Sequence, residues 1–178
     1  MTTDADRALL LRLAREAIEA FVGLRAAHVT ADASVLARPG GAFVTLQKRG
    51  ELRGCIGHIE ANEPLGEVIT RCAVAAASSD PRFPPITADE VRQIDLEISL
   101  LGPLERIYGA DQVEVGRHGL VIEQGWQRGL LLPQVATEWG WDAEAFVAHT
   151  CRKAGLPSDA AKHGAMLWRF EAEVFGER

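Results

Sequence analysis

From Ala42 to Gly57, apolar and polar residues alternate on both sides of Lys48-Arg49-Gly50, a pattern that specifies a β-hairpin. Reading those three residues as the loop, with Gly50 in the left-handed position, pairs Leu46 with Leu52 and Val44 with Gly54. One face then carries Ala42, Val44, Leu46, Leu52 and Ile56. The other carries Phe43, Thr45, Gln47, Glu51, Arg53 and Cys55. A slip of one residue would mix the two sets, so the apolar pattern favours this register. Cys55 is expected on the polar face, beside Arg53.

The remaining segments mix helices and strands. Leu10, Leu13, Ala17, Phe21 and Leu24 recur at helical spacing and predict an amphipathic helix over 5–25, capped by Thr3 with Asp6. Pro64 starts a second helix, reaching residue 77, that buries Leu65, Val68, Ile69, Cys72 and Ala76. The proline-rich stretch 78–85 reads as a stiff loop, and a short helix over 88–93 leads into an alternating strand at 95–100. Strands at 120–124 and 128–132 meet through Gly125-Trp126-Gln127, followed by helices over 133–139 and from Asp142 to Lys153. A last strand, 167–175, is expected to bury Trp168, Phe170, Ala172 and Val174 and to expose Arg169, Glu171 and Glu173. With no βαβα order, the expectation is an α+β domain, a mostly antiparallel sheet flanked by helices, in one or two lobes.

Charge and cysteine usage narrow the function. The net charge of −6 and the scattered basic residues speak against general nucleic-acid binding, which needs clustered cations to replace counterions. No apolar run approaches the ~18 residues that span a bilayer. The opening residues are acidic and lack a secretion signal, so a cytoplasmic location is expected. Cys55, Cys72 and Cys151 are odd in number and lack ligand spacing, which disfavours disulfides and a structural metal site. Cys72 and Cys151 fall on apolar helical stripes and read as small hydrophobes.

Cys55 is different, because it stands in Leu52-Arg53-Gly54-Cys55-Ile56-Gly57 with a cation two residues away. A guanidinium near the sulfur favours thiolate, and the flanking glycines admit a ligand or another backbone. The competing reading makes the glycines packing devices and the thiol a half-buried filler, silenced by desolvation. His58 and His118 are the candidate bases. His58 lies three residues on and would reach the thiol only through a bulge at Gly57, while His118 comes from a separate strand end. Asp80 and Arg82, in the stiff loop, form a second candidate pair, although the residues by themselves favour a turn at Asp80 and a surface ion pair at Arg82.

These segments together resemble one family. Leu52-Arg53-Gly54-Cys55-Ile56-Gly57 is similar to the signature of the AMMECR domain family, in particular its bacterial and archaeal branch named AmmeMemoRadiSam system protein A. Ser79–Phe83, Ile94–Leu101, Arg128–Ala136, Gly140-Trp141-Asp142 and Cys151–Leu156 continue the resemblance across nearly the whole chain. Ala160-Ala161 departs from it, standing where a tryptophan is expected after Lys153–Pro157.

The resemblance implies a mixed fold of two lobes with motif residues near a shared cleft. It implies association with a Memo-like protein and a radical-SAM protein, and it assigns this chain no metal or cofactor of its own. It carries over Arg53, Cys55, Asp80, Arg82, Arg128 and Gln134 as site residues. Two functions follow. One is an accessory or ligand-binding component working with those partners. The other is an enzyme using Cys55 as nucleophile or redox thiol on a small anionic substrate, with Arg53 lowering its pKa or holding the anion and Asp80 and Arg82 positioning the ligand.

Overall fold

The computed structural model describes residues 2–26 and 34–177. The chain forms two compact units, one running to Leu101 and joined by the segment from Glu173 onward, the other spanning Gly102–Ala172.

The first unit places α1 (Asp4–Phe21), the short α2 (Ser34–Ala37) and α3 (Leu65–Ser78) with strands β1 (Gly41–Lys48), β2 (Glu51–His58) and β3 (Ile94–Leu101). The sheet order is β2-β1-β3, all antiparallel, so β2 is an edge strand. α1 begins at the predicted capping box, in which Thr3 receives the Asp6 N–H and donates its own to the Asp6 carboxylate. Leu10, Leu13, Ala14, Ala17 and Ile18 of α1 join Val68, Ile69, Cys72 and Ala76 of α3 over Val44, Leu46, Leu96 and Ile98 of the sheet. The helix ends earlier than the periodicity suggests. The chain turns after Phe21, leaving Phe21 43% and Leu24 52% exposed.

The hairpin corrects the predicted pairing while preserving its faces. The turn is the two residues Arg49-Gly50, both at positive φ (54° and 81°), closing Lys48 against Glu51. Gln47 faces Leu52 but Leu46 faces Gly54, so Arg53 is an extra, bulged residue. The tighter turn shifts the register by one and the bulge by one more. A net shift of two restores the same faces, with Val44 opposite Ile56 and Thr45 opposite Cys55. Only Leu52, between turn and bulge, leaves the predicted apolar face, and it is 43% exposed.

Beyond the second helix the chain runs through a non-helical loop, and the helix expected over 88–93 shrinks to one tight turn at Val91–Gln93. Arg15 clasps that turn, donating to the carbonyls of Val91 and Ile94 at 2.8 and 2.7 Å.

The second unit contains β4 (Glu105–Ile107), β5 (His118–Gln124), β6 (Gln127–Leu131), α4 (Pro133–Trp139), α5 (Ala143–Lys153) and most of β7 (Met166–Gly176). β7 pairs antiparallel with β4 and β5, and β5 with β6. Its core gathers Leu120 and Ile122 of β5, Phe146 and Cys151 of α5, and Leu167 of β7. As expected, Pro133 opens α4 and Asp142 caps α5, accepting the Ala145 N–H at 2.8 Å. The strand β4 has too short a pattern to stand out in the sequence.

β7 departs from strict alternation. Leu167 and Phe170 are buried, whereas Val174 is 45% exposed. Glu173, expected in solvent, is half-buried because Arg7 and Thr2 both bond to its carboxylate, Arg7 Nε at 2.9 Å. Among the described residues no helix is long and apolar enough to cross a membrane. The fold is α+β with antiparallel sheet flanked by helices, as the sequence suggested.

Candidate functional site

The two glycines around Cys55 are packing positions. A Cβ on Gly54 would lie 2.3 Å from the Ala76 carbonyl oxygen, so only glycine lets β2 press against α3. A Cβ on Gly57 would meet the Phe43 ring at 2.4 Å. The space they leave is filled by the protein itself.

Cys55 nevertheless sits in a polar setting. Its side chain is half-buried, and Thr45, directly across the strand pair, donates its hydroxyl to the sulfur at 3.3 Å. The Cys55 N–H is taken by Asp80 at 2.9 Å. Asp80 follows α3 closely, and its loop folds beside the edge strand so that a carboxylate meets that donor.

Asp80 is 4% exposed and organises the loop around itself. Its Oδ1 accepts the Arg82 N–H at 3.1 Å, an Asx turn. Arg82 then doubles back, donating Nε to Oδ1 at 3.0 Å and Nη2 to Oδ2 at 2.7 Å. The Arg82 guanidinium, followed by the N–H bonds of Cys55 and Arg82, holds the Asp80 carboxyl well below the usual carboxylate range against the opposing effect of burial.

The cation beside the thiol is Arg82, where the sequence pointed to Arg53. Arg53 reaches the other way, donating Nε and Nη2 to Glu90 at 3.2 Å each and Nη1 to the Pro84 carbonyl at 2.9 Å. Lys48 shares the same carboxylate at 2.9 Å, and with Arg53 and the Thr87 N–H it draws the Glu90 pKa down. The bulge at Arg53 explains the redirection, since an extra residue re-aims its side chain. The Phe83 ring centroid is 5.9 Å from the Arg53 guanidinium and 5.5 Å from that of Arg82.

Burial pushes the Cys55 thiol pKa up, and the Thr45 hydroxyl and Arg82 only partly offset it, while Asp80 and Glu97 add to the rise. At neutral pH this sulfur is a thiol. Cys72 is buried, its pKa pushed by desolvation up to about 11, and Cys151 is 0% exposed, so both behave as the small hydrophobes expected.

The candidate bases are engaged elsewhere. His58 ends β2, with Nε2 3.0 Å from Asn62 Oδ1 and 3.3 Å from Glu63. His118 belongs to the second unit, where Nδ1 accepts the Glu114 N–H at 2.9 Å. Burial, then Arg169 and Arg117, depress its pKa and keep the ring neutral. Arg128 and Gln134 also belong to the second unit. Arg128 lies opposite Glu123, its Nε 3.7 Å from that carboxylate, and Gln134 is half-buried in the first turn of α4.

Thus Arg53, Cys55, Asp80 and Arg82 gather in the first unit. Glu90, Phe83 and Thr45 complete the arrangement and were not singled out by the sequence. Thr45 had a signal there, its place on the polar face of the hairpin, and Phe83 closes the Ser79–Phe83 segment of the resemblance. The cluster joins a neutral thiol, paired cations and a buried carboxylate.

The comparisons with known proteins agree with the motif. The AMMECR1 family model matches residues 11–175. A protein of Methanothermobacter thermautotrophicus is 47% identical over 177 residues, covering 94% of this chain and 92% of its own. A protein of Thermofilum pendens is 43% identical over 191 residues, covering 97% and 90%. The crystal structure of an uncharacterised protein from Pyrococcus horikoshii is similar with a TM-score of 0.92 at 40% identity, covering 99% of this chain and 93% of that one. The chain belongs to the AMMECR1 family.

Proposed function

We propose that this chain is a cytoplasmic AmmeMemoRadiSam system protein A, an accessory, ligand-binding component that works with a Memo-like protein and a radical-SAM protein. Its ligand site centres on Cys55, with Asp80 and Arg82 fixing the shape of the rim and Arg53 bracing it through Glu90. The observation that carries this reading is the state of Cys55. A thiol whose pKa is raised by burial, with His58 bonded to Asn62 instead of to the sulfur, suits contact with a ligand better than nucleophilic attack. Binding of purified, tagged chain to the Memo-like and radical-SAM proteins of the same genome tests it. Retention of either partner is expected. Retention of neither, together with turnover by the isolated chain, would overturn the proposal.

A second reading has its own observation. The Thr45 hydroxyl and the Arg82 guanidinium both favour the thiolate, as a cysteine enzyme would require. Under that reading Cys55 reacts with iodoacetamide at neutral pH faster than a free thiol does.

A further inference from the structure

The sheet register extends the Cys55 site inward. Thr45 lies opposite Cys55 on one side and opposite Glu97 on the other, so thiol, hydroxyl and carboxylate form one row. The next row holds Gly57, Phe43 and Ser99. Both rows alternate with Val44, Leu46, Leu96 and Ile98, which face α1 and α3, and so they occupy the opposite face. On that face Ser99 is 1% exposed, and its hydroxyl has no hydrogen-bond partner among the described residues. A buried hydroxyl of this kind is rare in a folded protein, and a ligand group that bonds to it removes a standing cost.

The cations around the thiol are already engaged by carboxylates of the protein. Asp80, its side chain 2% exposed, takes two nitrogens of Arg82, while Glu90 takes two of Arg53 and the ammonium of Lys48. An incoming anion would have to compete with carboxylates that are held in place by the fold and already bidentate. An uncharged polar group meets no charged competitor, and at Thr45 it displaces or accepts alongside only the weak bond to the Cys55 sulfur.

We infer that the Cys55 site takes an uncharged hydrogen-bonding group, a carbonyl, amide or hydroxyl, and that Thr45 and Ser99 are its contacts on the sheet. This rests on the reading of Cys55 as part of a ligand site. It differs from the expectation of an anionic substrate, because both arginines already hold carboxylates of the protein.

Two alkylating reagents separate the cases. Iodoacetamide and iodoacetate each form an S–C bond at Cys55 and release iodide, but only the second is an anion. Rates are read from the Cys55 peptide by mass spectrometry, each divided by the rate with free cysteine under the same conditions. The expected result is a normalised preference for iodoacetamide of at least several-fold. Asp80→Asn, which releases Arg82, reduces the preference, and Thr45→Val and Ser99→Ala each bring it toward that of free cysteine. A normalised preference for iodoacetate, or none, in the unaltered protein overturns the inference and leaves the ligand site standing. No labelling by either reagent at any pH that keeps the chain folded, with labelling once it is unfolded, overturns the underlying reading as well.

Discussion

The backbone N–H of Cys55 donates to the carboxylate of Asp80 at 2.9 Å, tying the edge strand β2 to the loop that follows α3. The same carboxylate holds Arg82 through two nitrogens. Removing it strands a strand-edge donor and a guanidinium together. Asp80→Ala is therefore expected to cost about 2–4 kcal/mol in urea unfolding, and Arg82→Ala less, since its side chain is 52% exposed.

The depressed Asp80 pKa makes that contribution pH-dependent in a defined direction. The folded carboxyl holds its proton more weakly than the unfolded one, whose pKa is about 3.9. The contribution is present in full above that value and is lost as pH falls through the lower folded pKa. Asp80→Asn should give a stability curve that declines less steeply below pH ~4 than that of the unaltered protein. Denaturant titrations across the acid range check it, and parallel curves would contradict it.

Gly54 and Gly57 should differ in their tolerance of a methyl group. Gly54→Ala sets a Cβ against the backbone oxygen of Ala76, which can move only with α3, whereas Gly57→Ala meets the Phe43 ring. The first is expected to destabilise by about 3 kcal/mol or more and the second by about 1–3 kcal/mol, both read from thermal or urea unfolding.

Arg49 carries a φ of 54° in the two-residue turn, where asparagine is more at ease. Arg49→Asn should stabilise the protein by about 0.5–1 kcal/mol, measured as a rise in the urea midpoint at unchanged slope.

The hairpin shows how much was legible. Its faces were readable because alternation depends only on parity, and the tighter turn and the bulge together shift the register by two. The register itself was not readable, since nothing in Gln47 or Arg53 marks a bulge. Helix starts at Thr3, Pro133 and Asp142 were visible through their caps, while the end of α1 was overrun because Phe21 and Leu24 continue the apolar spacing beyond the helix. Cys55 was singled out by its place on the polar face of the hairpin, and Asp80 and Arg82 by the stiff loop, with the family resemblance adding to both. Their partnership was not legible, because Asp80 reaches Cys55 only when the loop folds beside β2. The match between Arg53 and Glu90 spans 37 positions and leaves no local trace.

The central claim is that Cys55 rests as a protonated thiol within a polar ligand site. Its most direct test is the pH dependence of iodoacetamide labelling at Cys55 in the folded chain, compared with the same peptide after unfolding. Slow labelling near neutrality is expected, with a midpoint above the ordinary thiol value of ~8.5 that Thr45→Val moves higher still. A midpoint below that of the unfolded chain, with rapid labelling at neutral pH, would contradict it.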